Sequence, residues 1–261
     1  MLLGSTNNPR KNPVDEVKRI GELGFEFVDL TCEPPAATAA QLTEAAAELH
    51  AALSSSSLKV VGHTSWLHEF ANPYESVRKA HLGECIAAID VLAGLGAKKI
   101  DIHPDPMAKF YFDRAAYLLS YSRACSELSA ACKERGATLL IETFSEEYLT
   151  GEELGKVFLA VPDARFTLDV GHANTIALNG EGIGRLISQF KGKLTHVHVS
   201  DNDGKSDLHL PIGAGKIDWK KTLSLLKSGG YNGTVTLEVF SQDADYVKLS
   251  AEKFRKLWDC A

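Results

Sequence analysis

Eight short runs of apolar and β-branched residues recur along the chain, each followed by a polar loop and a segment of helical periodicity. The runs are Leu2–Thr6, Phe25–Leu30, Leu58–His63, Lys98–His103, Ala137–Thr143, Arg165–Val170, Leu194–Val199 and Thr234–Phe240. This alternation predicts a parallel sheet, because parallel neighbours are joined by crossovers that are usually helical. Eight such units predict closure into a (β/α)8 TIM barrel, and the 261 residues suit the ~250 usual for that fold. A doubly wound open sheet is the alternative, but no G-x-G-x-x-G follows the first run to support it. Helical spacing is clearest over Glu75–Leu95, through Val77, Ile86, Ile89 and Leu92, and over Asp113–Arg135. Glycines stand just ahead of several strand runs, at Gly21 or Gly24, Gly96, Gly136 and Gly229-Gly230, where a helix is expected to stop. Asp218 is placed to cap the helix after the seventh strand. No linker or low-complexity segment intervenes, so residues 1–261 are read as one domain.

Charge and cysteine usage narrow the setting. A formal net charge of −6 gives no global attraction to nucleic acid or to membranes. No window approaches the ~18 apolar residues of a membrane span. The opening Met1-Leu-Leu-Gly-Ser-Thr-Asn-Asn lacks a charged and then apolar leader pattern. Cysteines 32, 85, 125, 132 and 260 are odd in number and scattered, and are read as reduced thiols. Together these predict a cytoplasmic protein.

Barrel chemistry gathers at the C-terminal ends of the strands. Those ends carry His63, His103, Glu142, Asp169, His198 and Glu238, with His172 three residues beyond Asp169. Alternation along the strands points Leu140/Glu142, Thr167/Asp169, His196/His198 and Thr236/Glu238 to one face. An ionised carboxylate deep in a barrel mouth is costly unless paired or metal-bound. Four strands each delivering an acid or an imidazole therefore predict a metal held by Glu142, Asp169, His198 and Glu238. A long Gly-rich loop leaves the seventh strand and adds Asp207 and His209, two residues apart. His63, His103, His172, Asp207 and His209 are read as further metal ligands or as substrate-binding groups. His196 lies deeper and is expected to satisfy a core partner; His50, His68 and His81 are read as structural or solvated. Trp66 and the Phe110-Tyr111-Phe112 run are expected to pack on helices, with a pocket wall as the other reading.

The phrases Leu-Asp-Val-Gly-His, His-Val-His-Val-Ser-Asp-Asn and Asp-Leu-His-Leu-Pro-Ile-Gly-Ala-Gly-Lys-Ile-Asp-Trp, with Glu142 and Glu238, resemble the xylose isomerase-like barrel superfamily. The resemblance covers the whole chain. It implies sugar or sugar phosphate isomerases and epimerases, inosose-processing enzymes, or endonuclease IV relatives. In epimerase-like members one divalent ion is held by the positions matching Glu142, Asp169, His198 and Glu238, and the two glutamates act as acid and base on opposite faces of the substrate. In endonuclease-IV-like members three zinc ions use nine positions, matching His63, His103, Glu142, Asp169, His172, His198, Asp207, His209 and Glu238.

Two departures weigh against the nuclease. The sixth strand is followed by Asp-Val-Gly-His-Ala-Asn where the nuclease has Asp-x-Cys-His, and the first strand opens Gly4-Ser-Thr-Asn-Asn instead of a Gly-Ala-His-Val-Ser-like phrase. DNA binding also needs basic residues at the working face. The presumed mouth loops instead carry Glu33, Glu69, Asp105, Asp113, Glu146, Glu147, Asp201, Asp203, Asp243 and Asp245, against Arg10, Lys11, Lys109, Arg114 and Lys205. The expected function is thus a divalent-metal-dependent (Zn, Mn, Mg or Co) isomerase or epimerase of a sugar, sugar phosphate or polyol. Glu142 and Glu238 move a proton through an enediolate, and Lys205 and Trp66 contact substrate. The alternative is a zinc endonuclease at abasic sites. A third reading is a polyol-binding barrel, or one that dehydrates an inosose. A homo-oligomer is expected from the family alone.

Overall fold

A computed structural model describes residues 1–111, 113–177, 181–241 and 243–261. Its strands are β1 (Leu2–Thr6), β2 (Phe27–Cys32), β3 (Lys59–Thr64), β4 (Lys99–Ile102), β5 (Thr138–Glu142), β6 (Arg165–Asp169), β7 (Leu194–Val199) and β8 (Thr234–Leu237). They run in the order β1 to β8 and close into a parallel barrel. The helices are α1 (Pro13–Glu22), α2 (Ala39–Glu44), α3 (Ala46–Ser55), α4 (Glu75–Gly94), α5 (Arg114–Glu134), α6 (Gly151–Ala160), α7 (Val170–Ile176), α8 (Glu181–Phe190), α9 (Trp219–Ser228) and α10 (Ala244–Cys260). All eight expected strands are present. None of the described helices is long and apolar enough to cross a membrane.

Local chemistry sets the boundaries. Asn12 caps α1 by accepting from Val14 and Asp15 N–H, with Pro13 at the first helical position, where no N–H is needed. Thr150 and Glu153 form a capping box on α6. Asp218 caps α9 through Lys221 N–H, as its position predicts. Gly96 and Gly136 follow α4 and α5 at φ 102° and 67°, a region that an L side chain resists, and so release the chain into the next strand.

The chain divides into two compact units. One comprises Thr6–Glu142 and Glu146–Arg165. Within it β2 is buried throughout, as expected of a parallel strand covered on both faces. Its registers set Thr31 beside His63, His63 beside Asp101, and Asp101 beside Leu140. Gly62 lets α4 approach β3: a Cβ there would sit 3.1 Å from Leu92. Tyr117 and Tyr121 of α5 stack at 5.8 Å in the core.

The other unit comprises Met1–Ser5, Thr143–Ser145 and Phe166–Ala261. Here Asp169 pairs in register with His198, and His198 with Thr236. His196, one layer deeper, pairs with Thr234. Trp219 of α9 meets Phe254 of α10 edge-on at 6.1 Å, and Phe254 stacks on Trp258.

Candidate metal and substrate site

In the first unit β3, β4 and β5 bring three predicted residues together. His63 is the penultimate residue of β3, His103 follows β4, and Glu142 ends β5. Their Nε2, Nε2 and Oε2 atoms are 3.3 Å apart between the histidines, 3.2 Å from His103 to Glu142, and 3.7 Å from His63 to Glu142. The imidazoles stack at 4.8 Å. Ligand atoms at ~2.0–2.1 Å from a tetrahedral zinc lie roughly 3.3 Å from one another, so this donor set fits a divalent cation in spacing as well as in type. Asp29 Oδ1 lies 3.6 Å from His63 Nδ1, the far side of the ring, where a carboxylate orients a ligating histidine.

In the second unit β6, β7 and β8 place Asp169, His198 and Glu238 at the same end, all buried. His198 Nδ1 lies 3.5 Å from Glu238 Oε1. Asp169 also caps α7, accepting from His172 N–H at 2.5 Å. The sequence pattern carries strand six on to Val170. The chain instead turns helical after Asp169, because the carboxylate satisfies a helix-start donor.

Helix α7 presents His172 to the loop residues. His172 Nε2 is 3.2 Å from Asp207 Oδ2, and His209 Nε2 is 2.8 Å from the same oxygen. Each ring donates its Nδ1–H to a carbonyl, His172 to Thr143 at 2.8 Å and His209 to Glu238 at 3.0 Å. Nε2 is therefore the atom each ring turns to Asp207, as a proton donor or, with a cation bound, as a lone pair. Phe144 backs His172 at 4.5 Å, and Phe240 stacks on His209 at 4.1 Å. His209 holds φ at 46°, a rare conformation outside glycine.

Charge in the second cluster is self-consistent. Burial pushes the Asp207 carboxyl up, but hydrogen bonds from His172 and His209 outweigh it and hold it well below the usual range. Burial pulls His209 down, yet the bond to Asp207 and the nearby Glu238 raise it to about 9. In the metal-free protein this is a half-buried imidazolium on a partly exposed carboxylate, with the two ordinary values driven apart.

His196 behaves as read from the sequence: fully buried, with Nδ1 2.7 Å from Thr234 Oγ1 and Nε2 3.1 Å from Thr236 Oγ1. The rim is less acidic than the sequence suggests. Asp105 and Asp201, expected among its charges, are fully buried. Asp105 accepts from Phe70 and Ala71 N–H at 2.8 and 2.7 Å, and burial raises its carboxyl to about 7. Asp201 accepts from three backbone N–H groups of its own loop and from the Trp219 indole N–H at the start of α9. Two expected rim bases are paired, Arg114 with Glu153 and Lys109 with Glu147. Trp66 and Lys205 are exposed on their loops. Phe110 is also exposed, against the helix-packing expectation, while Tyr111 stacks on Tyr117; Phe112 lies outside the described residues.

The chain resembles known proteins in family and in fold. A family model described as xylose isomerase-like TIM barrel matches residues 17–257. An uncharacterized protein of Methanocaldococcus jannaschii is 29% identical over 176 residues, covering 64% of this chain and 59% of the relative. The chain thus matches under two thirds of that relative's length. Fructoselysine 3-epimerase of Escherichia coli O157:H7 is 33% identical over 69 residues, 25% of each chain. Among solved structures, a D-tagatose 3-epimerase-like protein superposes with a TM-score of 0.88 at 21% identity, covering 100% of this chain and 98% of that one.

Proposed function

We propose that this chain, which belongs to the xylose isomerase-like TIM barrel family, is a single-domain sugar epimerase or isomerase that works with a divalent cation. One observation carries the reading: a buried carboxylate or imidazole stands at the C-terminal end of each of four consecutive strands, β5 to β8. Glu142, Asp169, His198 and Glu238 are the proposed ligands. A bound Zn, Mn, Mg or Co ion supplies Lewis acidity toward a carbonyl and its neighbouring hydroxyl. The rest of the chemistry belongs to the chain's own groups. Glu142 and Glu238 take a proton from, and return it to, the carbon beside the carbonyl, through an enediolate. His172 and His209 hold substrate oxygens. Trp66 and Lys205, exposed on their loops, are proposed to contact substrate. Names of relatives support the class: a fructoselysine 3-epimerase over part of the chain and a tagatose 3-epimerase-like fold over all of it.

The test is exchange of solvent deuterium into ketoses or inososes in the presence of added Mn, Mg, Co or Zn. Exchange at the carbon beside the carbonyl, abolished in Glu142→Gln and Glu238→Gln, is expected. No exchange across a broad panel contradicts the reading.

A second reading has its own support. The pairs His63/His103 and His172/His209, each with a carboxylate, are the two additional donor clusters that a three-zinc phosphodiesterase acting on abasic DNA would use. About three zinc ions per chain, with incision of an abasic duplex, would favour it over the epimerase.

A further inference from the structure

The loop that carries Asp207 and His209 is held from within by two side chains that the proposed chemistry does not use. Asp201 and Asn202, which follow β7 after Ser200, are both fully buried. One Asp201 oxygen accepts from Asn202 N–H at 2.9 Å and Ile217 N–H at 3.2 Å. The other accepts from Gly213 N–H and from the Trp219 indole N–H, both at 2.8 Å. Four donors and no acceptor surround it, a demand that a carboxylate meets and an amide cannot. Asn202 faces the opposite mixture. Its Nδ2 donates to the Gly171 carbonyl at 2.8 Å, and its Oδ1 accepts from Gly204 N–H and Asn174 Nδ2, each at 2.9 Å. Gly171 and Asn174 belong to α7, the helix that bears His172.

The backbone completes the arrangement. Asp201 and Leu210 exchange N–H···O bonds at 2.9 and 2.8 Å, which closes 203–209 into one excursion. Asp207 and His209 lie on that excursion, and His172 lies on the helix to which Asn202 ties its base. Gly215 packs against the same two residues: a Cβ there would fall 2.3 Å from both Asp201 Oδ1 and the Asn202 carbonyl.

We propose that Asp201 and Asn202 are positioning residues that fix this loop so that Asp207 and His209 meet His172. Asp201 locks the far limb, through Gly213, Ile217 and Trp219. Asn202 locks the near limb to α7. A role for the trio in substrate binding rests on the function proposed above; the positioning itself does not.

The experiment uses the full metal-free chain and needs no substrate. Hydrogen exchange over 203–217 and the imidazole ¹⁵N signals of His172 and His209 are compared in wild type, Asp201→Asn, Asn202→Asp and Gly215→Ala. The first two are isosteric and remove acceptors or a donor without opening a void. The third pushes the carboxylate aside while keeping the Asp201 side chain and its charge. Asn7→Asp, the same chemical change at a buried Asn that bonds Thr31 between β1 and β2, is the control for general loosening. Exchange across 203–217 is expected to quicken by about tenfold or more, the scale of one lost charge-assisted bond, with both imidazole patterns shifted. Asn7→Asp is expected to leave both readouts alone. Unchanged loop exchange and imidazoles overturn the proposal, as does acceleration spread evenly over the chain or an equal effect of Asn7→Asp. Should Asp201→Asn fail to fold, Asn202→Asp and Gly215→Ala carry the same test. A chain that exchanges no substrate proton leaves these results readable, so failure of the epimerase reading and failure of this one are separable.

Discussion

Replacing Asp207 with Asn probes the ion pair that it forms with His209 of the same loop, beside His172 of α7. Asp207 Oδ2 sits 2.8 Å from His209 Nε2 and 3.2 Å from His172 Nε2. The imidazole of His209 is raised to about 9. Against an ordinary value of ~6.5, that displacement is worth about 3 kcal/mol to the folded state. The Asp207 side chain is 36% exposed, so solvent screening reduces the figure to about 1–2 kcal/mol. The sign follows from linkage. A histidine whose folded pKa exceeds its unfolded one stabilises fully below pH ~6.5 and loses that contribution as pH rises through about 9. Urea denaturation of the metal-free protein at pH 6 and pH 10 is the assay. Asp207→Asn is expected to cost about 1–2 kcal/mol at pH 6 and close to nothing at pH 10, where a neutral Nε2 lone pair would face the carboxylate. NMR titration should show His209 returning toward ~6.5 in the variant. An equal cost at both pH values, or a wild-type His209 that titrates near ~6.5, would be incompatible with this linkage.

Other outcomes follow from the same physics. Asp105, raised to about 7 by burial, destabilises the fold when it ionises. Measured against Asp105→Asn, wild type should lose on the order of 2–4 kcal/mol as pH climbs from ~4 to ~7 in thermal melts, the reverse of the usual carboxylate trend. Gly62→Ala puts a methyl 3.1 Å from Leu92 and 3.2 Å from Ile100, and should cost about 1–3 kcal/mol in denaturant titrations. His196→Ala leaves the buried Thr236 hydroxyl and the half-buried Thr234 hydroxyl without their ring partner and should cost about 2–4 kcal/mol without removing any proposed metal ligand.

Periodicity made the barrel legible: β-branched runs with glycine stops are local signals, and every strand falls where they do. The errors are at ends, where pairing decides. β2 continues to Cys32 because Thr31 and Cys32 find partners in His63 and Thr64. β8 ends at Leu237 because the Phe240 N–H goes to the His209 carbonyl, a contact between distant stretches. The strand-end histidines and acids could be read from alternation alone. Asp105 and Asp201 could not: in a sequence a loop aspartate looks solvated, and only the folded chain shows backbone N–H groups converging on it. Asn202 was hidden for the same reason, although the Gly-rich stretch from Gly213 to Gly215 hinted at close backbone approach.

The proposed chemistry requires Glu142, Asp169, His198 and Glu238 to share one cation. Elemental analysis of the purified chain, stripped with chelator and reloaded with Mn or Zn, puts this to the test alongside Glu142→Gln, Asp169→Asn, His198→Ala and Glu238→Gln. About one tightly held ion per chain is expected in wild type, and its loss in each of the four variants. Undiminished metal in any of them, or a wild type that retains none, would contradict a shared site.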